Sequence, residues 1–136
     1  MSQLIYRHGQ AARHRNGHGC IVGILSFLFP PSTSAEQAHE AARRRDVVIL
    51  DVRERNEWKA GHAPGSKNVP LSTLRMHTAQ LAQDRRYIAV CRSGSRSRSA
   101  TAQLRSAGID VVNLKGGMHG WKRAGLPLEP RNGRIV

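Results

Sequence analysis

Tyr87-Ile88-Ala89-Val90 is a short apolar run, and Cys91-Arg92-Ser93-Gly94-Ser95-Arg96-Ser97 follows it directly. The apolar, partly β-branched residues read as a buried strand. Beyond the polar loop, Ala100, Leu104 and Ala107 recur at helical spacing, and Gly108 supplies a stop. A strand, a tight polar loop and a helix N-terminus form an anion cradle, because loop N–H groups converge and the helix dipole adds partial positive charge. A thiol at its mouth is expected to ionise more readily than usual.

The loop also carries Arg92 and Arg96, with Arg98 just beyond it. An ordinary thiol, with a pKa of ~8.5, is only a few per cent ionised at neutral pH. Moving that value down by about two units takes roughly 2.7 kcal/mol of preference for the thiolate. A helix terminus and one or two guanidiniums supply that order of energy. An inert cysteine at the end of a core strand would have apolar neighbours, not Arg, Ser and Gly.

Residues Cys91 to Ser97 resemble the active-site loop of the rhodanese-like sulfurtransferases. Two further segments resemble the same family: Asp51-Val52-Arg53-Glu54 with Glu57-Trp58 and Gly61-His62-Ala63-Pro64-Gly65-Ser66-Lys67-Asn68-Val69-Pro70, and Leu114-Lys115-Gly116-Gly117-Met118-His119-Gly120-Trp121. Together they span about residues 34 to 128, in the family's order. The resemblance implies an α/β domain in three layers, a mainly parallel five-stranded sheet with helices on both faces. It implies a Cys91 persulfide as the sulfur carrier, with Arg92, Ser93, Gly94, Ser95, Arg96 and Ser97 binding substrate through loop amides and side chains. Asp51 and Arg53 are expected to support the loop through polar contacts. His62 is read as a structural hydrogen-bonding residue, since sulfur transfer from a sulfane donor to a thiolate needs little proton abstraction.

Loop length separates two chemistries. The protein tyrosine phosphatases and the cell-cycle dual-specificity phosphatases place an Arg six positions after the Cys. Here the sixth position is Ser97 and Arg96 is the fifth, and Val90 stands where the phosphatase pattern has a His. The shorter cradle suits a sulfane sulfur better than a phosphate ester. A phosphatase or arsenate reductase is the lesser alternative, as is a sulfur-carrier or regulatory interaction module.

The chain has 136 residues, enough for one core. Its formal net charge is +13, from 22 basic and 9 acidic residues. Such a field attracts a small anionic donor such as thiosulfate, or an acidic protein. The expected acceptors are cyanide, a thiol or an acidic protein. No nucleic-acid motif is present and aromatics are only 4%, so specific nucleic-acid binding is not expected. No metal site and no organic cofactor are expected: His14 and His18 are four apart but lack carboxylate partners. Two cysteines, Cys20 and Cys91, are no disulfide framework.

Residues 1–33 lie outside the resemblance. A basic, polar stretch leads to the apolar run Cys20 to Phe29, which Pro30-Pro31 stops. Ten residues are too few to cross a bilayer. The run reads as a secretory signal core, a membrane- or partner-touching tail, or a first strand from Phe27 to Phe29. The expected location is the cytoplasm, or an exported one if residues 1–35 act as a signal.

Ser34-Ala35-Glu36-Gln37 reads as a capping box opening a helix that ends at Arg43-Arg44-Arg45. Val47-Val48-Ile49-Leu50 reads as a strand buried on both faces, with Asp51 and Arg53 at the end where ligand sites gather. One helix is expected from Leu71 to about Gln83, a last strand at Asp110 to Leu114, and a short helix from Met118 to Ala124 that buries Trp121. Trp58 is also expected in the core. Residues 129–136 are read as a tail.

Overall fold

A computed structural model describes residues 31–136. The apolar run Cys20 to Phe29, Cys20 itself and the His14/His18 pair lie outside the described residues.

Five parallel strands form one sheet: β1 (Ser32–Thr33), β2 (Val48–Asp51), β3 (Lys67–Asn68), β4 (Arg86–Val90) and β5 (Asp110–Leu114). Their spatial order is β1-β5-β4-β2-β3. The central β4 pairs β2 on one side, with Asp51 opposite Val90, and β5 on the other, with Ala89 opposite Asn113. The first strand is thus formed by Ser32–Thr33 on β5, with Pro31 O also accepting from Asn113 N. The stretch Phe27 to Phe29, read from the sequence as a candidate first strand, lies outside the described residues.

The apolar runs bury alternate residues on opposite faces, as a covered parallel sheet requires. Ile49, Ile88, Val90, Val112 and Leu114 face helix α1 (Ala35–Arg43) and helix α5 (Gly117–Arg123). Leu50, Ala89, Cys91 and Val111 face helix α4 (Ser95–Ser106) and the short helix α3 (Leu74–His77). The capping box on α1 is present: Ser34 Oγ accepts Gln37 N–H at 3.2 Å, and Gln37 Oε1 accepts Ser34 N–H at 3.4 Å. Among the described residues no helix is long and apolar enough to cross a membrane.

Three local expectations give way. The helix expected at Leu71 to Gln83 is broken into a 3-10 turn (Leu71–Thr73), α3 and a second 3-10 turn (Thr78–Gln80). Hydroxyls of Thr73 and Thr78 bond to the carbonyls of Pro70 and Leu74, giving the backbone alternatives to a continuous helix. Trp121 is fully buried, with its indole N–H donating to Pro127 O at 2.8 Å. Trp58, by contrast, is only half-buried and stacks on His62, outside both apolar clusters.

The segment after Leu128 does not trail away. Glu129 exchanges two backbone hydrogen bonds with His62, at 2.9 and 3.0 Å, and Arg134 N–H donates to Ala60 O at 2.8 Å. Gly61 lies directly beneath: a Cβ there would stand 2.6 Å from Arg134 O. Leu126, Leu128 and Ile135 pack against the α1/α5 face of the core.

Candidate active site

Cys91 directly follows Val90, the last residue of β4. Its Sγ accepts the Gly94 N–H at 3.1 Å and lies 3.4 Å from Ser97 Oγ. Gly94 is the N-cap of α4 and sits at φ 119°, a conformation that L side chains rarely adopt. That kink turns the loop amides inward.

The loop carbonyls point the other way and are held there. Cys91 O accepts Met118 N–H at 2.8 Å, and Arg92 O accepts His119 N–H at 3.0 Å. Both donors belong to the first turn of α5. The approach is so close that a Cβ on Gly117 would lie 2.5 Å from Arg92 O. The Gly116-Gly117 pair is therefore part of the site's construction. It lets α5 take the carbonyls so that the amides face the sulfur.

Cys91 is 1% exposed. Burial pushes its thiol pKa up. The Ser97 hydroxyl and the amides of Ser97, Gly94 and Ser93 push it down and prevail, so the thiol lies below its ordinary value.

Ser97 is buried, and its hydroxyl meets three acceptors: Asn113 Oδ1 at 2.6 Å, Gly94 O at 3.2 Å and the Cys91 sulfur. It thus acts beneath the loop, whereas Arg92, Ser93 and Ser95 form its exposed rim. Asn113 was not among the residues expected at the site. A lone amide inside the apolar strand Val111-Val112-Asn113-Leu114 is the one signal that marks it, since a buried polar side chain calls for a partner.

Arg96 does not point a free guanidinium at the cradle. It makes a bidentate pair with Glu57 of helix α2 (Arg55–Ala60), at 2.7 and 2.8 Å. Glu57 also accepts Glu54 N–H at 2.9 Å. The Arg96 hydrogen bonds, aided by that amide and the charges of Arg96 and Arg53, outweigh burial and hold the Glu57 carboxyl at about 2. Arg96 is raised in turn, chiefly by Glu57. Glu57 entered the sequence reading only as part of a motif; pairing it with Arg96 needs the fold, since the two are 39 residues apart.

Asp51 and Arg53 are wholly buried and paired, Arg53 Nη2 to Asp51 Oδ2 at 2.7 Å. Their side chains bond to each other and to Gly61 O, at 2.7 Å, their carbonyls accept from Asn68 Nδ2 at 3.1 and 2.8 Å, and none of these side-chain bonds reaches the 91–97 loop. The support expected of the pair runs to the loop through α2 rather than by a hydrogen bond of its own. The pair fixes the end of α2 at Gly61, and α2 carries Glu57 to Arg96. His62 Nδ1 lies 2.7 Å from Trp58 O, the two rings stack at 3.8 Å, and Nε2 is 3.6 Å from the Glu129 carboxylate. His62 ties α2 to the C-terminal segment and has no contact with Cys91. Among the described residues, no group of three or more His, Cys, Asp or Glu is arranged to hold a metal ion.

The arrangement sets a thiol of lowered pKa against loop amides that can stabilise negative charge beside it. Comparison with known proteins agrees in kind. A family model described as a rhodanese-like domain matches residues 34–124. A sulfurtransferase of Allochromatium vinosum is 33% identical over 96 residues, covering 70% of this chain and 90% of that protein. The chain spans about half the length of two curated relatives that are 39% identical: 54% of an uncharacterized Synechocystis protein and 50% of an HTH-type transcriptional regulator of Mycobacterium tuberculosis. Among solved structures, a rhodanese-related protein from Thermoplasma volcanium superposes with a TM-score of 0.68 at 33% identity, over 71% of this chain and 95% of that one. A thiosulfate sulfurtransferase from Pseudomonas aeruginosa gives 0.71 at 33% identity, over 83% of this chain and 23% of that one. With its sheet order, its cysteine loop and the match across residues 34–124, this chain belongs to the rhodanese-like domain family.

Proposed function

We propose that the protein is a sulfurtransferase that carries a sulfane sulfur as a Cys91 persulfide. The observation that carries this reading is the pair of hydrogen bonds from Gly94 N–H and Ser97 Oγ to a thiol whose pKa is lowered. The Cys91 thiolate attacks the outer sulfur of a donor such as thiosulfate. A new S–S bond forms, the donor's S–S bond breaks, and its electron pair leaves on sulfite. The persulfide is then an anion, Cys–S–S⁻, and the loop amides are placed to solvate it. A nucleophile such as cyanide or a thiolate attacks the outer sulfur, and the electron pair returns to Cys91 as thiolate, completing a ping-pong cycle.

The near-complete burial of Cys91 favours a slim terminal sulfur over a phosphate ester. Because Arg96 is engaged by Glu57, the donor's charge falls to the loop amides and to the exposed Arg92. Similarity to a sulfurtransferase and to a thiosulfate sulfurtransferase supports the same reading. The test is intact mass after incubation with thiosulfate, on wild type and Cys91→Ser. Gain of one sulfur atom by wild type alone is expected. No sulfur gained from thiosulfate or from an organic persulfide overturns the reading.

A second reading, a sulfur-carrier or regulatory module, draws on the relative named as a transcriptional regulator. The same samples separate the two: a persulfide that neither cyanide nor a small thiol discharges favours the module.

A further inference from the structure

A groove of about 760 Å³ runs along the outer face of α4, walled on the other side by α3 and the 3-10 turn after it. Arg75 and Thr78 line one wall; Arg98, Ser99, Ala102 and Gln103 line the other. It carries two guanidiniums, and no carboxylate is among its lining residues. Helix α4 as a whole has three arginines and no acid, and residues 71–83 contain no acid either. The third arginine of α4, Arg105, turns away and donates to Val111 O at 3.1 Å. Next to Arg75 in the sequence, though not itself lining the groove, Met76 is 76% exposed.

We propose that this groove docks an acidic, partly apolar segment of another protein, the macromolecular acceptor of the sulfur. In that last respect the proposal rests on the persulfide reading above. Charge selects the occupant. Two arginines with no carboxylate among the lining residues, over an alanine floor, match carboxylates flanked by apolar side chains. The chain's own first 30 residues contain no Asp or Glu, so they complement the groove poorly. A second copy, at net charge +13, is repelled. The lining holds no aromatic residue on which a base would stack, and an exposed Met offers nothing to a phosphate backbone. Position gives the groove its use. Arg98 N–H bonds to Gly94 O at 3.0 Å, so one end of the groove lies a single helical turn from the loop that holds Cys91.

The test is fluorescence anisotropy of a labelled peptide of alternating glutamate and leucine, titrated with the full chain at low and moderate salt. Wild type, Arg75→Glu/Arg98→Glu and Lys59→Glu/Arg131→Glu are compared. Both variants change net charge equally, but Lys59 and Arg131 are exposed and lie outside the groove. The groove variant is expected to bind at least about tenfold more weakly, and the control within about threefold of wild type. Should Arg75→Glu/Arg98→Glu not fold, Arg75→Gln/Arg98→Gln serves in its place with the same expected order. Persulfide formation at saturating thiosulfate is expected to be equal in wild type and the groove variants, which keeps a failure of docking distinct from a failure of the Cys91 chemistry. Equal loss in both variants, or loss in neither, overturns the proposal in favour of a diffuse positive field. An oligonucleotide of equal charge that binds more tightly, and loses that binding in the groove variant, overturns it in favour of nucleic acid.

Discussion

Ser97 offers one proton to three neighbours, and which neighbour receives it depends on the state of Cys91. When the sulfur is a thiol, S–H can donate to Oγ and the hydroxyl to Asn113 Oδ1. When it is a thiolate, the hydroxyl must turn to the sulfur, and an amide at residue 113 can turn its NH₂ toward Oγ. Ser97→Ala is therefore expected to raise the Cys91 pKa, slowing iodoacetamide alkylation at neutral pH by about tenfold, the scale of one hydrogen bond to a charged group. Asn113→Asp, which can accept but not donate once ionised, is expected to move the pH profile of alkylation in the same direction. A profile that does not move in Ser97→Ala would remove the hydroxyl from the account of the lowered thiol. Cys91 and its loop were readable from the sequence because strand, loop and helix are contiguous there. Asn113 was not, because its partner is 16 residues away on another element.

Between elements, the site depends on a chain of grips: Asp51 and Arg53 to Gly61, α2 to Glu57, and Glu57 to Arg96 at the start of α4. Glu57 has a folded pKa of about 2 against an ordinary 4.5. A depressed carboxyl contributes stability that is fully present above its unfolded pKa and is lost as pH falls toward its folded one. Wild type is thus expected to lose stability between about pH 5 and pH 2 through this group, and Glu57→Gln to lose less over that window. Urea midpoints measured from neutral pH down to about pH 3 check it: the gap between wild type and Glu57→Gln should be largest near neutrality and shrink on acidification. A constant gap would mean that the carboxylate charge is not what holds Arg96. This grip also explains a limit of the sequence reading. The family resemblance includes Arg96 and Glu57, but only the parallel pairing of β2 with β4 brings α2 over the start of α4. Likewise the α/β alternation and the continuous apolar runs showed a covered parallel sheet. The interrupted segment at residues 71–80 did not show itself, because hydroxyl-to-carbonyl bonds leave no mark on apolar spacing.

At the scale of the molecule, the C-terminal segment closes the structure on the side of α2. Polar and proline-containing, Gly125 to Val136 looks like a solvated tail in the sequence. Leu126, Leu128 and Ile135 pack on the core, and beyond Leu128 much of the hold comes from backbone groups, which any sequence can supply: the two bonds between Glu129 and His62 and the one from Arg134 to Ala60. Two glycines mark the contact: Gly61, whose missing side chain lets the Arg134 backbone pass, and Gly133, where a Cβ would meet Gly61 Cα at 3.0 Å. Because Arg53 also grips Gly61, the segment braces the same corner of α2 from outside that the buried ion pair braces from within. Ending the chain at Leu128 removes those bonds together with the partly buried Ile135, whose packing on the core is lost. The expected loss is about 2–3 kcal/mol of unfolding free energy, from a few hydrogen bonds and one half-buried side chain. Because the segment touches α2 and not the 91–97 loop, Cys91 alkylation under native conditions should change little while the urea midpoint falls. Loss of alkylation in step with stability would show instead that the corner at Gly61 transmits its position through Glu57 to the loop.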